Sequence, residues 1–217
     1  DEARPVLTGI YFHMIDGKLF MAATDSYRLA EKELMTLNED VSLLIPASAM
    51  QDLLRLLGDG DDEVEITNDD QQVLFKVGEV ELVARLIEGK YPDYRKLVPS
   101  VFTTEAKLKR ADFVNITKVS SLFARESAGS VTIQVDAEKK EVSIRSIASQ
   151  LGENTASAVA EVTAEGSITL NSRYLLDALG TLSGDEVKLC FNGKLEPCVL
   201  KEAGGDGYTH VIMPLKS

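Results

Sequence analysis

The chain has 217 residues, 44% of them hydrophobic, enough to bury a core as one large domain or as two of about 100 residues. Its formal charge is −12, with 35 acidic against 23 basic residues. That balance opposes general adhesion to nucleic acid or anionic lipid without excluding a local basic face. No run approaches the roughly 20 apolar residues of a membrane span. Two cysteines, Cys190 and Cys198, are too few for a disulfide-stapled fold, so a cytoplasmic setting is expected. The opening "DEARPVL" has no signal pattern and no initiating Met, and reads as a processed or truncated start.

In chain order, "GIYFHM" (9–14) and "KLFMAAT" (18–24) flank "IDG", a hairpin signal. The second of these strands stops at a polar corner, Thr24-Asp25-Ser26, and resumes through Tyr27 and Arg28. "IPASAMQDLLRLLGDG" predicts a helix with Met50, Leu53, Leu54 and Leu57 as its apolar stripe. Ser48 and Gln51 have the spacing of a capping box, and Gly58 is placed to stop the helix. Strands are expected at 63–69, 71–78 and 80–87. Val73, Phe75 and Val77 alternate with polar residues in the second, while the third puts Leu82, Ala84 and Leu86 on one face and Val83 on the other. "YPDYRKLVPS" (91–100) breaks the periodicity and marks a join.

The second half repeats the plan. A helix over 110–125 carries Phe113, Ile116, Ser120 and Phe123 inward, and a hairpin follows from "SVTIQVD" (130–136) and "EVSIRSI" (141–147), with a further strand at 158–164. "LNSRYLLDALGTLSGDEVKLCF" (170–191) parallels "IPASAMQDLLRLLGDGDDEVEI" (45–66): Leu54 matches Leu179 and Leu57 matches Leu182, each 125 positions on. Two similar α+β modules follow from this repeat.

Enzyme chemistry is not visible. His13 and His210 each stand alone in an apolar alternating stretch, without a Cys or carboxylate at triad or metal spacing. Asp59, Asp61 and Glu63 alternate as a calcium loop begins, but Val64 occupies the position of its glycine, so a solvated turn is expected. "EAGGDGYTH" lacks the strand-to-helix context of a phosphate cradle and reads as a hairpin tip. Cys190 and Cys198 are expected as half-buried thiols on adjacent strands, with no zinc, no other metal and no cofactor.

Three stretches ask for more than a structural explanation. They are "ATDSYRLA", with a ring and a cation at a corner, "EGKYPDYRKL" (88–97), and the apolar end "THVIMPLKS". Met, Leu and Pro beside an aromatic ring suit an adaptable groove for short peptides. In this order and at these intervals, "TDSYRLA", "EGKYPDYRKLVP" and "HVIMPLKS" resemble the bacterial DNA polymerase III β subunit family, the sliding clamps, from about residue 3 to 217.

The resemblance implies an α+β fold of two tandem clamp-type modules, residues 1–97 and 98–217, with helices on an inner face and antiparallel sheets outside. They would be the second and third of the family's three modules, whose subunits pair head to tail into a homodimeric ring around duplex DNA. Without the first module, this chain is not expected to close that ring. Arg55, Lys109, Arg110, Lys118, Arg125 and Arg173 would supply positive charge toward DNA, attracting phosphates without reading bases. The resemblance further implies a groove between the modules for short linear motifs of DNA polymerase III, clamp loader and repair polymerases. Carried over by motif position, that groove uses Leu7, Thr24, Ser26, Tyr27, Arg28, Leu29, Pro92, Lys96, Leu97, Leu195, Pro197, Val211, Ile212, Met213, Pro214 and Leu215. Arg28 would orient polar peptide groups and Met213 would act as a soft gate. Tyr27 replaces the usual His, Lys96 the frequent Arg, and Ser217 a common apolar residue. The expected function is a processivity factor, not an enzyme. The rival readings are a clamp-like adaptor that never encircles DNA, and a small-molecule enzyme, which would need a convergent polar pocket.

Overall fold

The computed structural model describes residues 3–58, 63–148, 152–205 and 207–216. The chain divides into two units. The first comprises Asp1–Ser26 and Glu31–Asp93, and the second comprises Tyr27–Ala30 and Tyr94–Ser217. The break after Asp93 falls four residues ahead of the 97/98 boundary expected from the sequence, because the 3-10 turn Tyr94–Leu97 groups with the second unit.

In the first unit, a 3-10 turn, Pro5–Thr8, leads into strands β1 (Gly9–Ile15), β2 (Lys18–Thr24), β3 (Arg28–Thr36) and β4 (Ser42–Pro46), ordered β3-β2-β1-β4. The β1–β2 hairpin closes at Ile15↔Lys18, with Asp16 at φ 50° and Gly17 at φ 75°. Two positive φ values in a two-residue loop give the turn whose twist matches the flanking strands. Helix α1 (Ala47–Leu56) follows, then an antiparallel sheet of β5 (Glu65–Asn68), β6 (Gln72–Val77) and β7 (Val80–Arg85). The helix packs on β1, β4 and β7. Phe12, Leu19, Ile45, Leu53, Val73 and Phe75 form the core. The alternation read at 73–77 holds, as does the outward face of Val83.

Two expectations for α1 fail. Its cap position is Pro46, with no side-chain cap, and Ser48 already lies inside the first turn. Strand β4 runs straight to Pro46, so the helix begins two residues before the Ser-x-x-Gln box can act. Leu54 is 67% exposed. The side facing the sheets carries Ala49 and Leu53, and Leu54 is turned about 100° away from Leu53.

The second unit is a β-α-β-β-β pattern used twice. The first pass is β8 (Thr104–Lys109), α2 (Arg110–Phe123), β9 (Ser130–Asp136), β10 (Glu141–Ala148) and β11 (Gly152–Val162). The second is β12 (Gly166–Asn171), α3 (Ser172–Thr181), β13 (Glu186–Phe191), β14 (Cys198–Glu202) and β15 (Tyr208–Ile212). The two passes interlock, since β12 pairs with β9 and β8 with β13. The strand order is β12-β9-β10-β11-β8-β13-β14-β15. Helices α2 and α3 pack on each other. Phe113, Ile133, Ile144, Leu170, Leu179 and Leu189 are buried in one core.

Phe113, Ile116 and Ser120 point inward as read, while Phe123 is half-buried. The helix ends at Phe123, and a 3-10 turn, Ala124–Ser127, takes over, so Arg125 lies outside α2. Strand β11 starts at Gly152, six residues before its predicted start at 158. Its first half is polar and small, and cross-strand pairing with β10 defines it instead. Asn171 sits at the repeat position of Pro46. Its side chain accepts the N–H groups of Arg173 at 2.9 Å and Tyr174 at 3.3 Å, capping α3.

Candidate functional site

The polar corner is a built turn. Thr24 Oγ1 accepts the Ser26 N–H at 3.1 Å, a local bond that competes with strand pairing and ends β2. Ser26 then adopts φ 77°, uncommon for a residue with a side chain. Its hydroxyl accepts from the Arg4 guanidinium at 2.6 Å. Of the other first-unit residues in the expected set, Leu7 is buried and Pro92 is exposed.

The short stretch Tyr27–Ala30 belongs to the second unit, and the contacts there are specific. The Tyr27 carbonyl accepts the Met213 N–H at 2.8 Å, and the Thr169 carbonyl accepts the Leu215 N–H at 2.8 Å. The tail beyond β15 is therefore held at two points, one at the corner and one on β12. Pro214 between them has no N–H to satisfy. Tyr27 is 63% exposed, while Met213, Pro214 and Leu215 are half-buried. The Arg28 guanidinium bonds Asp177 Oδ2 at 2.5 Å and lies over the Tyr174 ring, 4.4 Å from its centroid. Tyr174 and Asp177 are three apart on α3 and so share one face.

The remaining second-unit candidates separate by exposure. Leu97 and Leu195 are exposed, as is Lys96, and Pro197 is half-buried. Leu29, Val211 and Ile212 are buried; Ile212 has no accessible surface and is part of the core. Tyr174, Asp177 and Thr169 were absent from the sequence expectation. The one available signal was the repeat, in which Tyr174 stands where α1 has Ala49.

The basic candidates are also distributed. Lys109, Lys118, Arg125 and Arg173 are exposed on or beside the α2–α3 pair. Arg110 is half-buried and donates from Nε to the Gly184 carbonyl at 2.9 Å. Arg55, in the other unit, pairs with Asp52 at 2.6 Å on its own helix, which offsets its charge locally.

Other chemistry-bearing residues have structural surroundings. His13 stacks on Tyr11 at 4.5 Å, and His210 Nδ1 meets the Tyr208 hydroxyl at 2.9 Å. Tyr91, stacked on Tyr11, is pushed up to about 12 by burial, against a hydrogen bond with the Thr24 backbone that pulls it down. Beside a cavity of about 640 Å³, Lys107 spans Glu161 at 3.2 Å and Glu186 at 3.4 Å. These carboxylates raise its pKa, the opposite of what a catalytic amine needs. Asp59 and Asp61 lie outside the described residues, as does Ser217. Among the described residues there is no cluster of three or more metal-ligating side chains, and no helix is long and apolar enough to cross a membrane.

Cys190 and Cys198 are free and fully buried rather than half-buried, because β13 and β14 are interior strands. Burial pushes Cys190 up to about 11 and Cys198 further in the same direction. Both thiols stay protonated in the folded chain, whereas unfolded thiols ionise at about 8.5. Their contribution to stability is therefore complete below that pH and is lost as pH rises toward 11. At pH 8 a thiol-disulfide reagent is expected to label neither residue until urea unfolds the second unit, and then both.

Comparison with known proteins places this geometry in context. The family model for the central domain of the DNA polymerase III beta subunit matches residues 1–93, and that for its C-terminal domain matches residues 95–216. The beta sliding clamp of Staphylococcus aureus is 34% identical over 220 residues, covering all of this chain and 58% of the relative. That of Staphylococcus epidermidis is 33% identical over the same span. The chain thus spans a little under three-fifths of the length of these curated relatives. Among solved structures, the Bacillus subtilis DNA polymerase sliding clamp superposes with TM-score 0.94 at 29% identity, over 100% of this chain and 58% of that one. The Thermotoga maritima DNA polymerase III beta subunit gives 0.92 at 22% identity, over 100% and 59%, a likeness of fold alone.

Proposed function

Since the chain belongs to the DNA polymerase III beta subunit family, we propose that it supplies two clamp modules of a replication processivity factor and carries that factor's receptor for short linear motifs. The observation that carries this reading is the second-unit corner. Tyr27 and the Met213–Leu215 tail are tied together by backbone hydrogen bonds, with Arg28 fixed against α3 beside them. An exposed ring, a thioether and a leucine on a hydrogen-bonded frame give an adaptable apolar seat that needs no reordering of the chain. Leu97 is a further exposed apolar side chain of the second unit, with Lys96 next to it in the chain.

In this reading the chain performs no chemistry of its own. It holds DNA polymerase III, the clamp loader and repair polymerases through their motifs, in the bacterial cytoplasm and as part of a homodimer in the full-length protein. The exposed Lys109, Lys118, Arg125 and Arg173 support contact with duplex DNA through phosphates alone, which permits sliding. An overall charge of −12 keeps the rest of the surface from competing for DNA.

The test is fluorescence anisotropy of a labelled Gln-Leu-Ser-Leu-Phe peptide against this chain. Saturable binding in the micromolar range is expected. Met213→Ala is expected to weaken it several-fold, since a half-buried methionine contributes about 1 kcal/mol of contact. No binding at millimolar protein defeats the receptor reading.

A further inference from the structure

The second-unit sheet has a face turned away from its helices. Leu108, Leu189 and Leu200 point into the core shared with α2 and α3. Side chains alternate along a strand, so their chain neighbours Lys107, Lys188 and Lys201 stand on the other face. The pairing register sets these lysines in one row across β8, β13 and β14. Lys107 is opposite Lys188, and Lys188 is opposite Lys201.

The three are not equivalent. Lys107 is held between Glu161 at 3.2 Å and Glu186 at 3.4 Å. Among the described residues, neither Lys188 nor Lys201 makes an ion pair with a carboxylate. The Lys201 ammonium lies instead over the Phe102 ring, 5.7 Å from its centroid. Glu105 shares the face, opposite Cys190. The buried Cys190 thiol registers this neighbourhood: burial pushes it up most, Glu105 adds to the rise, and Lys201 and Lys188 oppose it. Like charges directly opposite one another on a sheet repel. The Lys188–Lys201 pair therefore destabilises the free chain, and an anion set between the two ammonium groups relieves it.

The surroundings select the kind of anion. Glu105, Glu161 and Glu186 bracket the row, and they oppose the unbroken phosphate line of a duplex. A peptide can offer two carboxylates with uncharged flanks. Beside Lys188 there is an open cavity of about 490 Å³, lined also by Glu105, Lys107, Glu161 and Thr163, with room for a further side chain. We propose that Lys188 and Lys201, with the Phe102 ring beside them, form a docking point for a short acidic segment of a partner protein. Its carboxylates bridge the two ammonium groups through charge-assisted hydrogen bonds.

The probe is a labelled Gly-Glu-Asp-Glu-Gly peptide titrated by anisotropy. Saturable binding below millimolar protein is expected at low salt, weakening about fivefold or more in about 0.5 M salt, where exposed charges are screened. Lys188→Ala and Lys201→Ala are each expected to lower affinity about threefold or more, with urea midpoints unchanged or raised because a repulsion is gone. Glu105→Gln is expected to raise affinity. Lys139→Ala removes a lysine already paired with Asp136 at 3.2 Å and is expected to change nothing. The proposal fails if the peptide does not bind at millimolar protein, or if both lysine variants bind it as the wild type does. It fails equally if unlabelled Gln-Leu-Ser-Leu-Phe displaces the acidic peptide, which would seat it at the Arg28 corner. A short DNA duplex that displaces the peptide, and that itself needs Lys188 and Lys201, would assign the face to nucleic acid and overturn the proposal. None of these readings depends on whether the corner binds its own motif.

Discussion

Phe113→Ala is expected to cost the second unit about 3–5 kcal/mol, the range for removing a fully buried aromatic side chain. Phe113 has no accessible surface, and it holds α2 into the core that Leu175, Leu179 and Leu189 share. Truncation leaves a ring-sized void at the centre of the doubled β-α-β-β-β pattern. Neither helix can move in to fill it without breaking its contact with the other. In urea, with a slope of about 2 kcal/mol per molar, the midpoint of this unit's transition moves down by roughly 1.5–2.5 M. Lys118→Ala, on the exposed side of the same helix, is the control and is expected to stay within about 0.5 kcal/mol. Equal midpoints for Phe113→Ala and Lys118→Ala would mean that α2 is not a core helix.

Arg28→Ala is expected to reduce affinity for the Gln-Leu-Ser-Leu-Phe peptide by about tenfold or more, equivalent to about 1.4 kcal/mol, while the unfolding midpoint barely changes. The contrast follows from where the residue sits. Its ion pair is half open to water, so the fold loses little, and Asp177, 47% exposed, remains solvated once its partner is gone. The ligand loses a rigid wall and its donors, and Tyr174 is freed to turn. Anisotropy titration alongside urea unfolding measures both quantities. An unchanged affinity would locate the peptide away from this corner.

The strands and helices that build the cores were largely legible, because burial imposes a period. Val73 and Phe75 alternate, and Phe113, Ile116 and Ser120 recur at helical spacing, so the sequence names the inward face directly. The corner was legible as an anomaly, a ring and a cation where a turn needs neither. What faces the corner was not. Tyr174 and Asp177 lie at ordinary helical spacing, and no local rule says that a carboxylate on α3 reaches Arg28 rather than a neighbour on its own helix. Asp52 shows the local alternative in the same chain. Val211 and Ile212 entered the expected groove by family motif position, and their depth of burial was not readable from the apolar C-terminal stretch. An unbroken apolar run gives no alternation to tell a buried residue from an exposed one. The start of β11 escaped for the opposite reason, since Gly-Glu-Asn-Thr carries no apolar signal and is ordered by its partner strand.

The stacking of Arg28 on Tyr174 also places a natural fluorophore in direct contact with a cation. The chain has six tyrosines and no tryptophan, so no indole drains or masks phenol emission. Tyr91 and Tyr94 are sealed in the interior, whereas Tyr27 and Tyr174 sit at the corner itself. A peptide docked at the corner, as proposed above, is expected to change tyrosine emission without any attached dye.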